Sequence, residues 1–477
     1  MSATRPTEGN DDLLRPSMEA PAPRMPPDAP GRFLSRQAPL GWLPRLRRYA
    51  PALAWVGIVA LGLGLRIYHL DQNPAHGDTA DEYAWAWSGM TLWSEGSPTA
   101  WSWLDGYDNF PVVQWRGGPV KLVRPWMDHP PLYSLFVGAW MHLWGTHRIF
   151  DVDLYLMRWS GMPLFLLSCA ALTWVLRAQI PVATLLLALL LFGTAPPAVL
   201  QHRLVISENF WLPLWVGTYG AMLAFLRRPR HIWLATVVLG CSLLPLSKVA
   251  ALSGSLFLLV VSLRRASARL AWAVMGGTLL GLLVYLLYGW LVGGETFFRV
   301  LATQSRRFEG LGAFFALLFD PGGPYSSFHY LPFMVGLVWC IGLAARSRAP
   351  EWVLPVLCYA GGMAFFVGER TVYGWYSIPL FPWLVTAVAD MVTRAWKART
   401  PSAAWVLFLF LWTGALSVLF EEGNLSRESL RYVYLSGLLL GTGLLWTPRV
   451  GRMMTRPLMA SLVACTVATN IYWVWRH

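Results

Sequence analysis

From residue 50 to the C-terminus the chain is a succession of apolar runs, many of them about 18 residues or longer, joined by mostly short connections. A helix of that length crosses a ~30 Å hydrocarbon core, and in lipid only a helix or a closed barrel satisfies its own backbone. Charged residues make up 13% of the 477 positions, roughly half the share of a soluble domain. The expected fold class is therefore all-α, a polytopic transmembrane helix bundle. The net charge of +13 does not argue for nucleic acid, because the arginines sit in short clusters between apolar runs. That is the pattern that orients a membrane protein.

Fourteen apolar stretches stand out, the second of them at 129–145. If all fourteen cross and the N-terminus is cytoplasmic, the cluster Arg227, Arg228 and Arg230 faces outward, and so does Arg264, Arg265 and Arg269. The conflict disappears if 129–145 lies along the interface, since it is short, opens on Pro130-Pro131 and is interrupted by His142. Thirteen spans then place every strong basic cluster on the cytoplasmic side. Two long outer loops remain, at 69–157 and 292–327. Long loops between short connections are where function concentrates.

The expected organisation is a disordered cytoplasmic tail at 1–48, a core at 49–395 that includes both outer loops, and additional C-terminal helices at 396–477. The tail is rich in Pro, Ala, Arg and Asp with no apolar period, and no small-residue cleavage site follows it. The five cysteines (Cys169, Cys241, Cys340, Cys358 and Cys465) are scattered through apolar segments and show no metal-ligand or disulfide spacing. No metal site is read from the sequence. Paired carboxylates leave a divalent cation open as a cofactor without indicating one.

The first outer loop carries the chemistry. Thr79 and Glu82 have the spacing of a capping box, so Glu82 either closes a helix start or assists its neighbour. Asp81 falls in the first turn of the same helix, where the helix dipole favours its anion. A carboxylate there can take a proton from an acceptor hydroxyl. Tryptophans crowd this loop, among them Trp85, Trp87, Trp93, Trp101, Trp103, Trp115 and Trp126, and an interfacial aromatic belt is the expected reason for most. Arg158, Arg203, Lys248 and Arg370 are all expected at the outer ends of spans. There they either snorkel to the interface or meet a phosphate.

Five pieces in order resemble the polyprenyl-phosphate-dependent glycosyltransferases of the C fold type, in the branch of the protein O-mannosyltransferases and the lipid A aminoarabinose transferase. They are Asp81-Glu82-Tyr83-Ala84 after the first span, His129-Pro130-Pro131-Leu132, Asp153 through Arg158, Arg203 through Glu208 with Leu246-Ser247-Lys248, and Arg370 with Tyr373 through Pro382. The resemblance implies a sugar moved from a polyprenyl-phosphate donor, with inversion, to a lipid, glycan or protein acceptor. It implies Asp81 as base with Glu82 beside it. It implies substrate-binding roles for His129, Arg158, Arg203, Glu208, Lys248, Arg370 and Tyr376. The expected place is the plasma (inner) membrane, with the active site on the outer face. Three departures leave the substrate open: His129 stands where the family often has Lys, Glu208 where it has Asp, and Val249 where it has Gly. No counterpart of the aminoarabinose transferase's large soluble C-terminal domain is read here.

Two other classes share the composition. A transporter or flippase would put ionisable residues at mid-membrane depth or show an inverted repeat. Here the ionisable residues gather at span ends and no repeat is seen. A non-catalytic scaffold would tolerate loss of Asp81, Arg203 and Lys248 together.

Overall fold

The computed structural model describes residues 43–75, 81–108, 110–116, 118–305, 331–346, 350–366, 374–421, 423 and 426–476. The chain divides into two units, Met1–Arg48 and Tyr49–His477. The second unit is an integral membrane protein built almost entirely of helices. Among the described residues, Tyr49–Ile67, Leu154–Leu176, Ala268–Ser305, Pro401–Phe420 and Arg449–Arg476 are each long and apolar enough to cross unaided. Val182–Thr194 and Pro196–Arg203 are long and apolar enough only together and are bent by 59° at their break, the geometry of a broken span or a re-entrant loop. His231–Ser247, Val249–Arg264 and Leu331–Ala344 are apolar but shorter.

The elements that frame the site come from the first half of the chain. They are α1 (Leu43–Ile67), α2 (Asp81–Glu95), α3 (Pro131–Leu143), α4 (Leu154–Arg158), α5 (Gly161–Leu176), α6 (Val182–Thr194), α7 (Pro196–Arg203), α8 (Ser207–Arg227) and α9 (His231–Ser247). Helices α2 and α3 belong to the first long loop. The 13 residues of α3 span only ~20 Å, well short of a hydrocarbon core. They pack instead on α2 at very close range. A Cβ on Gly89 would stand 1.8 Å from the Ser134 carbonyl oxygen, and one on Gly138 would stand 2.2 Å from the Gly89 carbonyl carbon. Glycine at both positions lets the two backbones touch.

The loop also holds a small antiparallel sheet that the sequence reading did not anticipate, in the order β1 (Ala100–Trp101), β3 (Gly118–Val123), β2 (Val112–Trp115). Register runs from Val112 opposite Lys121 to Trp115 opposite Gly118. Arg116, at φ 47°, begins the reversal between β2 and β3. The β-branched residues Val112, Val113, Val120 and Val123 favour the pleat.

The tryptophans correct an expectation. Trp85, Trp87 and Trp126 are not an interfacial belt; they are 2%, 0% and 3% exposed and form a core inside the loop with Tyr83, Tyr133 and Phe297. Edge-to-face contacts tie Trp85 to Trp126 and to Tyr133, and Trp87 to Trp115. A loop of this length outside lipid needs a hydrophobic core of its own, and large aromatic rings supply much area per residue. Trp93 and Trp103 do remain exposed.

Candidate active site

The bent pair α6 and α7 begins the site. Pro196 and Pro197 have no N–H to offer the carbonyls four residues back, those of Phe192 and Gly193, so α6 must end and α7 start at an angle. Arg66, at the end of α1 and fully buried, fills the gap. Its guanidinium donates to the Gly193 carbonyl at 2.9 Å and to the Phe192 carbonyl at 3.3 Å, and also to Gly62 and Ala198. It lies 3.8 Å from the centroid of the Phe165 ring.

Helix α7 then delivers the segment Arg203 to Glu208, extended through Leu204–Ile206, and each end of it fastens another element. Arg203 donates to the Leu65 carbonyl at 2.8 Å and the Asn73 carbonyl at 3.1 Å, fixing the exit of α1. The Val205 amide donates to Glu82 Oε2 at 2.9 Å. Glu208, in the first turn of α8, accepts from Lys248 Nζ at 2.5 Å and from Ser207 Oγ at 3.2 Å. One six-residue stretch thus joins α1, α2 and α9.

Glu82 and Arg158 form the inner joint. Arg158 Nε meets Glu82 Oε2 at 3.0 Å and its Nη2 meets Oε1 at 2.8 Å, the two-pronged match of guanidinium to carboxylate. Nη1 donates to the carbonyls of Leu70 and Pro74 at 2.8 and 2.9 Å. Asp153 N-caps the short helix that presents this arginine, accepting from the Leu156 amide. Arg158 is therefore engaged on all three of its nitrogens inside the protein. Thr79, the other half of the expected capping box, lies outside the described residues.

Lys248 forms the outer joint. It follows α9 in a tight turn before the next span begins, and it is 8% exposed. Its ammonium stands 4.6 Å from the centre of the Tyr376 ring. Burial pulls its pKa down, but Glu208, then Tyr376, and further off Asp81 outweigh it and hold the group above 10.5. An ammonium has three donors, and Glu208 and the Tyr376 face take two directions. Asp81 opens α2, partly exposed, so the dipole of α2 and the Lys248 charge both favour its anion. Tyr133, on α3, is 1% exposed; burial and then the carboxylates of Glu82 and Glu208 push its phenol well up.

Of the residues singled out in the sequence, Glu208, Lys248 and Tyr376 are in contact, the charge of Asp81 reaches Lys248, and Glu82, beside Asp81 on α2, is tied to Arg158 and to the segment that Arg203 opens. His129 is stacked on Trp85, one turn after Asp81 on α2, at 4.6 Å between ring centres. Arg370 lies outside the described residues. Sequence reading missed Arg66 and Tyr133. The signal for Arg66 was present: a proline pair inside an apolar run strands two carbonyls that some donor must meet. Among the described residues no three His, Cys, Asp or Glu side chains are grouped to hold a metal ion.

No family model matches the chain, and no curated protein matches it in sequence. Solved structures do match. ArnT from Cupriavidus metallidurans bound to undecaprenyl phosphate superposes with a TM-score of 0.53 over 92% of this chain and 78% of that one, at 13% identity. The protein has the fold of ArnT. The apo state of ArnT aligns at 0.52 over 92% and 77%, again at 13% identity. Archaeal oligosaccharyltransferase AglB from Archaeoglobus fulgidus, in complex with an inhibitory peptide and a dolichol-phosphate, aligns at 0.49 over 90% and 56%, at 11% identity. The polytopic helical bundle expected from hydropathy is the fold this chain adopts, and ArnT shares it.

Proposed function

We propose that this protein is a membrane glycosyltransferase that moves a sugar from a polyprenyl-phosphate donor to an acceptor hydroxyl, inverting the anomeric carbon. The observation that carries the proposal is a partly exposed carboxylate, Asp81, whose charge reaches a buried ammonium, Lys248, backed by Glu208 and Tyr376. The ArnT structure of the same fold was determined with undecaprenyl phosphate, a ligand of the proposed donor's chemistry.

In this reading Asp81 takes the proton of the acceptor O–H as that oxygen attacks the anomeric carbon. The bond from that carbon to the phosphate oxygen breaks, and the electron pair leaves with the polyprenyl phosphate. Lys248 stabilises the charge that grows on the departing phosphate, with Arg370 as a further candidate there, while the face of Tyr376 helps to hold the ammonium in place. Glu82, Arg158 and Arg203 are positioning residues: they set α2 against the α7–α8 link, and so set Asp81 against Lys248. The same proposal gives the chain thirteen spans, ten in the core at 49–395 and three in the C-terminal helices at 396–477, with the N-terminus in the cytoplasm and the site on the outer face of the inner membrane.

The test is transfer and donor hydrolysis by the purified full chain, with polyprenyl-phosphate sugars as donors. Asp81→Asn is expected to lower the rate by about 10²–10⁴ while donor binding persists. Full activity in Asp81→Asn removes it as base. Ion or lipid transport by wild type in liposomes, without sugar transfer, overturns the transferase reading.

A further inference from the structure

The two long loops enclose a cavity that Asp81, Glu208, Lys248 and Tyr376 do not line. It has a volume of about 660 Å³ and lies between the far end of α2, the sheet, the 147–150 turn and helix α10 (Gly294–Ser305) of the second loop. This is the size of ordinary small-ligand pockets. Asp81 opens α2, whereas Met90 to Glu95 on the same helix line the cavity. Nine residues of helix separate them, ~14 Å along the axis.

The lining alternates hydroxyls and ring faces. Phe150 is 48% exposed with its edge against Trp87. Thr91, Ser94 and Thr296 bring hydroxyl-bearing side chains to the wall. Charge on the walls is mostly cancelled in pairs: Arg124 donates to Glu95 at 2.6 Å, and Arg299 donates to Asp108. Arg148 is different. Its only ion-pair partner among the described residues, Asp151, is 3.9 Å away; both side chains are largely exposed, and Asp151 does not line the cavity. Such a pair contributes little. His147 stands beside it on the same wall. The surplus is cationic, on a wall otherwise suited to a molecule with polar edges and apolar faces.

We propose that this cavity docks the acceptor, and that the acceptor is an anionic glycan of several sugar residues. The inference rests on the transferase reading and adds the acceptor class to it. The anionic group meets Arg148 and His147, and a sugar ring lies on Phe150. The ~14 Å back to Asp81 requires an extended chain, so a monosaccharide that fills the cavity does not reach the base.

The experiment uses the full chain in nanodiscs and calorimetric titration with tri-galacturonate, neutral galactotriose, galacturonate and inorganic phosphate. Tri-galacturonate is expected to bind at least tenfold more tightly than each of the others. Arg148→Glu and Phe150→Ala should each weaken it at least tenfold. Polyprenyl-phosphate affinity, measured on the same samples, should stay unchanged in both variants and fall in Lys248→Met. Equal binding of the neutral trisaccharide or of phosphate overturns the proposal. So does tri-galacturonate binding that ignores both substitutions, or no binding at millimolar concentration. A preparation that binds tri-galacturonate as expected but shows no Lys248-dependent polyprenyl-phosphate binding refutes the donor reading instead.

Discussion

Glu82 holds Arg158 through two nearly equal bonds, at 2.8 and 3.0 Å, and accepts a third from the backbone of Val205, all with almost no exposure to solvent. Taking away one partner of such a pair strands a buried charge, which costs ~3–5 kcal/mol. Arg158→Ala and Glu82→Ala are therefore expected to lower thermal stability sharply in detergent. Arg158→Lys should recover only part of it, since an ammonium makes a single point contact where the guanidinium makes two. Thermal unfolding of the three variants decides the matter. If Arg158→Ala unfolds like wild type but loses donor affinity, Arg158 binds substrate and is not a positioning residue.

Asp81 is the neighbour of Glu82 in sequence and its opposite in environment: partly exposed, at the first position of α2. Asp81→Asn keeps the shape of the side chain and removes the charge. Its unfolding midpoint is expected to stay close to wild type while transfer collapses. Loss of folding comparable to that of Glu82→Ala would mean that Asp81 is structural too.

How much of the molecule is legible in its sequence depends on which contacts are local. Hydropathy carries the bundle because crossing lipid is a property of each segment alone. The motif Arg203 to Glu208 is visible as a string, but its partners at Leu65, Asn73, Glu82 and Lys248 lie 138, 130, 123 and 40 residues away. No periodicity encodes those distances. That is why Arg158 reads from sequence as a phosphate partner and sits in the structure against Glu82, 76 residues earlier. The buried tryptophans mislead for a related reason. An aromatic-rich stretch beside a span has the composition of an interfacial belt, and only the contact of α2 with α3 and the small sheet turns it into a core.

That contact gives a packing prediction. Gly138 lies against the backbone of Gly89, with no flexible side chain available to move aside. Gly138→Ala forces α3 away from α2, and overpacking of this kind costs ~1–3 kcal/mol. The expected readout is a lowered unfolding midpoint and faster proteolysis within the first loop. Gly64→Ala, where an added Cβ meets nothing within 4 Å, is the matched control and should be nearly silent. Equal stability of the two variants would remove the close approach.

Lys248 supplies the pH dependence. Its folded pKa is raised above 10.5, because Glu208, Tyr376 and Asp81 outweigh the burial that lowers it. A raised pKa in a cation contributes stability that is complete below the unfolded value. That stability is lost only as pH climbs through the folded value, so the window lies above 10.5. The phosphate monoester has its second pKa near ~6, so between about pH 7 and 9 both partners keep their charges. Polyprenyl-phosphate affinity should then be flat across that range in wild type, and uniformly weaker in Lys248→Met. Glu208→Gln removes the first of the charges that raise Lys248 while burial remains, so its ammonium should titrate lower and affinity should begin to fall at a less alkaline pH than in wild type. A wild-type midpoint below about pH 9 would mean that the carboxylates do not hold the lysine charged, and that another cation receives the phosphate.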